Sequence, residues 1–275
     1  MKRFAYLSGK ILPLEDASVS ISDIGLMRGF ALYEAITLIN GKPFRLSDHW
    51  RRLEKGARTL GLRVPVSVSE AERIIRELAE KSELKGRANV RVILTGGKTV
   101  GGIDFDPQNP TFYILVEEWV KLPEENYTNG AKLIVHEFLR DMPEVKTTNY
   151  TRAVSLQEEK KKEDALEILY THEGKVLECA TSNFFLVKDN VLITPDKDIL
   201  EGVTRKIVLE LSKDDYKIEE RVVAVEELKS ADEIFITASF KDIVPIVKVD
   251  NFGVKDGSVG KISKDLMGKF AKYLS

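Results

Sequence analysis

Four short segments hold residues whose types could act together. Glu144-Val145-Lys146-Thr147-Thr148-Asn149-Tyr150 puts a lysine in a short extended stretch just ahead of a helix. Burial and neighbouring cations lower an amine's pKa, and a neutral amine attacks an aldehyde to form a Schiff base. Val176-Leu177-Glu178-Cys179-Ala180-Thr181-Ser182-Asn183 ends an apolar strand on a carboxylate and continues into small residues. Such a carboxylate keeps a heteroaromatic ring nitrogen protonated, so that the ring accepts electrons. Leu200-Glu201-Gly202-Val203-Thr204-Arg205 precedes the apolar-periodic residues 207–211. Gly202 supplies a flexible approach, Thr204 reads as an N-cap, and the free N–H groups of a helix start make a phosphate site. Ser47-Asp48-His49-Trp50-Arg51-Arg52-Leu53 sets Arg52 beside an apolar helical stripe, from where a guanidinium reaches a phosphate. Each segment alone reads equally well as ordinary surface.

Taken together, in this order and at these separations, the segments resemble the fold-type IV enzymes that use pyridoxal 5′-phosphate (PLP). That group holds branched-chain aminotransferases, D-amino acid transaminases and aminodeoxychorismate lyases. The resemblance runs from Asp23-Ile24-Gly25-Leu26-Met27-Arg28-Gly29 through Ile236-Thr237-Ala238-Ser239 to Pro245. It implies an α/β chain of two α+β domains, a smaller N-terminal α/β domain and a larger C-terminal pseudo-barrel. It also implies a homodimer whose active site is shared between chains, with the cofactor between the two domains and the proton handled on its re face. By position it implies that Lys146 is the catalytic lysine, bound covalently to PLP, and that Glu178 partners the ring nitrogen. Arg52, Val203, Thr204 and Ser239 then form the phosphate cup. Ala238 stands where some relatives have a hydroxyl residue, which leaves the cup one bond poorer. Tyr150 lies one residue out of step with the tyrosine that branched-chain relatives set against the ring hydroxyl.

Transamination passes two substrates through one pocket, so the site must grip an α-carboxylate, and arginine is the natural fork for it. Arg91 alternates with Val90 and Val92 and so faces away from them. Arg28 sits in a loop of small residues that, by the resemblance, reaches into the other subunit's site. Arg28, with Arg91 ahead of Leu94-Thr95-Gly96-Gly97, resembles a less common, two-arginine branch of D-amino acid transaminases. The better-known branch places an arginine and a histidine shortly after this strand, where Lys98 and Thr99 stand here. Tyr33, Lys98, Phe240 and Lys241 border the expected substrate pocket. The expected reaction is amino transfer between D-amino acids, such as D-alanine and D-glutamate, and 2-oxo acids. The alternatives are a branched-chain L-amino acid aminotransferase, a lyase making 4-aminobenzoate, and a PLP-binding or interaction protein without turnover.

The elements that must hold these residues are legible as hairpins and amphipathic helices. Asn40-Gly41 between residues 33–39 and 42–46 is a strong hairpin signal. One helix is expected after Ser47 and another after Ser69, capped by Glu72 three residues on. Strands are expected at residues 89–94, 111–116, 132–138 and 144–148, and one helix at 151–164. Strands at 167–170, 176–178, 183–187, 191–193, 232–237 and 243–249 and helices at 205–212 and 261–274 complete the chain. The polar segment with Pro123 and Asn129-Gly130 suggests a first domain over residues 1–118, a linker over 119–129 and a PLP-binding domain over 130–275.

Composition sets bounds. The 275 residues are 43 % hydrophobic and 31 % charged, with a formal net charge of −2, so no broad field favours nucleic acid or anionic membrane. The run Lys160-Lys161-Lys162 is flanked by acids and reads as a solvated helix face. A single cysteine, Cys179, fits a reducing compartment, and no apolar run suits a signal peptide or membrane span; the cytoplasm is expected. His49, His136 and His172 match no metal spacing, so no metal is expected.

Overall fold

The computed structural model of the chain describes residues 3–275 and divides them into two compact units. One unit runs to Val120 and adds Val145–Asn149; the other holds Lys121–Glu144 and Tyr150–Ser275. Among the described residues no helix is long and apolar enough to cross a membrane.

The first unit contains, in chain order, β1 (Phe4–Leu7), β2 (Lys10–Pro13), α1 (Ile24–Arg28), β3 (Ala31–Ile39), β4 (Lys42–Pro43), α2 (Leu46–Thr59) and α3 (Val68–Lys81). It continues with β5 (Arg87–Thr95), β6 (Thr99–Gly101), β7 (Asp104–Phe105) and β8 (Thr111–Glu118). Six strands form an antiparallel sheet in the order β2-β1-β8-β5-β3-β4, and β6-β7 is a separate hairpin. Period-two alternation turns Leu32, Ile36, Val90, Val92, Leu94 and Ile114 to one face. There they bury against Trp50, Leu53, Ile75 and Leu78 of α2 and α3. Each such side chain removed from water contributes about 1.5–3 kcal/mol.

Asn40 and Gly41 both take positive φ, 48° and 75°, the backbone that matches a two-residue turn to strand twist. The strand expected at 42–46 stops at Pro43, because Arg45 turns left-handed and α2 begins at Leu46. The capping box falls on Ser67 and Glu70, two residues ahead of the expected Ser69 and Glu72. Ser67-Val68-Ser69-Glu70-Ala71-Glu72 contains both boxes, and the earlier one lengthens the helix without losing a cap. No strand forms over 144–148. The Thr147 N–H turns back to the Val145 carbonyl at 3.0 Å, which curls the chain and leaves one bridge, Thr147 to Leu32.

The second unit contains α4 (Glu125–Thr128), β9 (Ala131–Glu137), α5 (Thr151–Ser155), α6 (Gln157–Lys162), β10 (Glu167–His172), β11 (Lys175–Cys179), β12 (Asn183–Lys188) and β13 (Val191–Thr194). It ends with α7 (Val203–Ser212), β14 (Lys217–Glu220), β15 (Val223–Ala224), β16 (Glu233–Ala238), β17 (Asp242–Val249), β18 (Phe252–Gly253) and α8 (Lys261–Leu274). Its sheet, a half-barrel, runs β14-β13-β12-β16-β17-β9-β10-β11-β15, with β18 on β17. The core includes Leu133, Leu169, Phe184, Ile236 and Val244, and Phe185 stacks on Phe235 at 4.8 Å.

Two expectations change here. The single helix over 151–164 is split at Leu156, which is buried in the core and leaves helical geometry. Helix α7 begins two residues early, so Gly202 is its N-cap and Thr204 lies inside its first turn. Gly202 takes that place because a Cβ there would fall 1.9 Å from Asn183 Oδ1.

Candidate active site

The first unit assembles its chemistry around Lys146. Val145 is anchored in the core against Gly56 and Leu32. The neighbouring backbone is stitched to β3: Tyr33 N–H donates to the Lys146 carbonyl and Thr148 N–H to the Ala31 carbonyl, both at 3.0 Å. The Lys146 Nζ donates to the Tyr33 hydroxyl at 3.1 Å and lies 4.2 Å from the centre of its ring. Tyr33 therefore sets the position of the amine.

The next residue, Glu34, points to the other face of β3 and is fully buried. Arg52 clamps it with two bonds, Nε to Oε1 at 2.8 Å and Nη2 to Oε2 at 2.6 Å, and His49 Nδ1 donates at 2.7 Å. Burial, the largest influence, pushes the Glu34 carboxyl up, but the Arg52 charge and the bonds from Arg52 and His49 outweigh it and hold it down at about 2. Burial also holds His49 below its ordinary value, against the pull of Glu34 and with help from the Arg52 and Lys146 charges. The ring is thus neutral at neutral pH. Arg52 is fixed as an oriented cation.

Arg91 shares a sheet face with Tyr33, because Tyr33 pairs with Ile93 and Ala35 with Arg91. Its Nε meets Glu117 at 2.7 Å on the half-exposed side of the sheet. Arg28 ends α1, exposed, with Nη1 on the Met27 carbonyl. A bridge between Asp23 and exposed Lys98 brings the α1 loop alongside the 96–99 loop. The structure thus groups Tyr33, Lys146 and Arg91 on or beside one face; Arg28, expected in a loop, closes the short helix α1 instead, and Lys98 lies on the loop bridged to the residue before that helix.

The second unit assembles around Glu178. Its Oε1 accepts from Arg140 Nε at 3.0 Å and Nη2 at 2.6 Å. Its Oε2 accepts from Asn183 Nδ2 at 3.2 Å and from the Leu200 N–H at 3.1 Å. Asn183 also donates to the Leu200 carbonyl at 2.8 Å. Glu178 and Asn183 thereby hold the loop that leads into α7. No side chain caps α7, whose buried first turn carries Val203 and Thr204. Ser239 and Phe240 lie half-buried in the tight turn between β16 and β17, right after Ala238. Tyr150, half-buried, lines a cavity of about 320 Å³ with Ala180, Thr181 and Lys241.

Three functional-looking residues escaped the reading of the sequence. Glu34 announces itself only as an acid on the buried phase of β3, between Leu32 and Ile36. His49 lies three residues before Arg52 on α2, a spacing that puts both on one face. Arg140 lies outside regular structure, and no periodicity marks it.

Comparison with known proteins gives the family of the chain. The Amino-transferase class IV family model matches residues 31–249. A Methanocaldococcus jannaschii protein, whose name assigns it provisionally to branched-chain amino acid aminotransfer, is 31 % identical and covers 96 % of this chain and 94 % of its own. A Staphylococcus epidermidis D-alanine aminotransferase is 29 % identical, covering 98 % of this chain and 97 % of its own. The solved branched-chain aminotransferase of the thermophilic archaeon Thermoproteus uzoniensis, with norvaline, superposes with a TM-score of 0.89 at 26 % identity, over 100 % of this chain and 95 % of that one. With a matched span that contains Lys146, Arg52, Glu178 and the start of α7, the chain belongs to the class IV aminotransferases, the fold-type IV enzymes whose cofactor is PLP.

Proposed function

We propose that this enzyme transfers amino groups between D-amino acids and 2-oxo acids, of the D-alanine or D-glutamate and pyruvate or 2-oxoglutarate class. The residues present fit PLP. A ten-residue helix with no side-chain cap suits a phosphate, and a buried carboxylate suits a ring nitrogen. An amine oriented by a tyrosine suits an aldehyde. Lys146, Arg52, Tyr150, Glu178, Val203, Thr204 and Ser239 would hold the cofactor. When bound, PLP supplies an electron-accepting ring and an aldehyde carbon that carries the amino group between half-reactions.

The chain's own residues then divide the work. Lys146, steadied by Tyr33, carries the proton at the substrate α-carbon. Arg52, braced by Glu34 and His49, holds the phosphate. Glu178, with Arg140 behind it, keeps a charge against the ring nitrogen. Arg91 and Arg28 grip the substrate carboxylate, and Tyr33, Lys98 and Phe240 border the pocket.

One observation carries the reading: Arg91 lies on the same sheet face as the tyrosine that holds Lys146. There a substrate carboxylate can take the place of Glu117 on the guanidinium. A second reading, a branched-chain L-amino acid aminotransferase, is favoured by the M. jannaschii relative. Apolar side chains left open at Ile21, Leu26 and Ile103 support a partner chain over this edge and hence a homodimer. A single, buried, free Cys179 supports a cytoplasmic enzyme.

The test is a visible-absorption titration of the PLP-loaded protein with D-glutamate, D-alanine, L-leucine and L-glutamate. Bleaching by the D-amino acids alone is expected. Bleaching by L-leucine and L-glutamate alone would transfer the assignment to the branched-chain reading.

A further inference from the structure

Outside the groups already assigned, the second unit buries a further carboxylate. Glu167, the first residue of β10, is 4 % exposed. Its carboxylate accepts from Ser182 Oγ at 2.9 Å, from Thr181 Oγ1 and from Lys241 Nζ. Lys241 Nζ also donates to Thr181 Oγ1 at 2.6 Å. Burial, the leading influence, pushes the Glu167 carboxyl up, and the Lys241 charge and its bonds reverse that and hold it below the ordinary range.

Lys241 closes the β16–β17 turn. Ala238 pairs with Asp242, leaving a three-residue loop of Ser239, Phe240 and Lys241. The Lys241 N–H returns to the Ala238 carbonyl at 3.2 Å, and its carbonyl accepts from the Tyr127 hydroxyl at 3.1 Å. Asp242 follows in the left-handed region, φ 60°, a conformation that a glycine adopts more cheaply. The turn contains no glycine, and besides its own closing bond it is held from outside by Tyr127 on the main chain and by Glu167 and Thr181 on the Lys241 side chain.

The lysine does not bring a free charge to an acidic substrate, because buried Glu167 pairs with it. Such an ion pair is a poor source of stability compared with apolar packing, but removing one partner leaves the other charge uncompensated, so the pair keeps its two segments together. We infer that Lys241 is a positioning residue, whose ion pair with Glu167 locks the turn that presents Ser239 and Phe240 to the cofactor phosphate and the substrate. This rests on the roles given to Ser239 and Phe240 above.

The experiment uses the PLP-loaded enzyme and the variants Lys241→Met, Lys241→Arg, Glu167→Gln and the double variant Glu167→Gln/Lys241→Met. Thermal midpoint, PLP dissociation constant and the KM and kcat for the best amino donor are measured. Losing a charged, buried bond should raise KM and the PLP dissociation constant about tenfold in Lys241→Met, with kcat within about twofold of the parent. Lys241→Arg should stay near the parent. The double variant decides, and it also serves if Lys241→Met fails to fold. It removes both charges, so its thermal midpoint should return towards the parent, while KM and PLP dissociation remain raised. A double variant that recovers midpoint, KM and PLP affinity together would overturn the inference, leaving the pair a matter of charge balance alone. If the parent turns over none of the amino acids, the proposed function fails, while PLP affinity still tests the lock.

Discussion

The two units treat their buried carboxylates differently. Around Lys146, one carboxylate is sealed away from water and shared by an arginine and a histidine on a single helix. Around Glu178, one carboxylate divides its oxygens between an arginine on a loop and the amides of Asn183 and Leu200. The first arrangement orients a side chain, Arg52, through a rigid helix. The second orients a stretch of backbone, residues 200–202, and through it the start of α7.

Substitutions can break that contrast or sharpen it. Lys146→Ala should leave the fold intact and lower turnover by about 10⁴-fold, the scale of a lost proton carrier. Normal transamination by this variant, measured with unchanged circular dichroism, would remove Lys146 from the mechanism.

Glu34→Gln should come next, and it should act on stability. The Glu34 pKa falls from 4.5 to about 2 on folding. A depressed pKa contributes stability that is complete above about 4.5 and disappears as pH drops towards about 2. The linked contribution is about 3 kcal/mol. Urea denaturation of Glu34→Gln across pH 2–7 should show a lower plateau near neutrality and a flatter fall below pH 4.5. A fall as steep as the parent's would mean that other carboxylates govern acid unfolding.

Arg140→Met removes one partner from Glu178 and leaves the two amides. A charged hydrogen bond contributes about 1.5–3 kcal/mol, so kcat/KM should drop about tenfold or more with little change in PLP phosphate affinity. A drop in phosphate affinity instead would show that Glu178 acts mainly through the 200–202 loop. The smallest effect belongs to Arg91→Ala. Arg91 is half-exposed and already paired with Glu117, so KM should rise about fivefold. The rise should be shared by every amino acid tried. A rise confined to one substrate would make Arg91 a reader of side chains.

Much of the frame was legible in the residues. Asn40-Gly41 located its hairpin because two consecutive positive φ values suit few other pairs. The stripes of α2 and α3 and the apolar strands of the half-barrel followed from periodicity. Local competition was less legible. Two overlapping capping boxes offer starts about half a helical turn apart, and Leu156 split a helix because its side chain found a place in the core. Thr204 looked like a cap by type, yet the cap is Gly202, because Asn183 from a different strand occupies the space where a Cβ would stand.

By itself the sequence named the candidates for the chemistry: Lys146, Glu178, Arg52 and the start of α7, each marked by a local pattern of residue types. It also determined the strands and helices that carry them, since hydrophobic periodicity is a property of neighbours in the chain. Only the tertiary structure decided the partners. Glu34 with Arg52, Arg140 with Glu178, and Glu167 with Lys241 are separated by 18, 38 and 74 residues. Which charges meet in a folded protein is set by burial, because an ionised group taken out of water must find its opposite wherever the chain brings one.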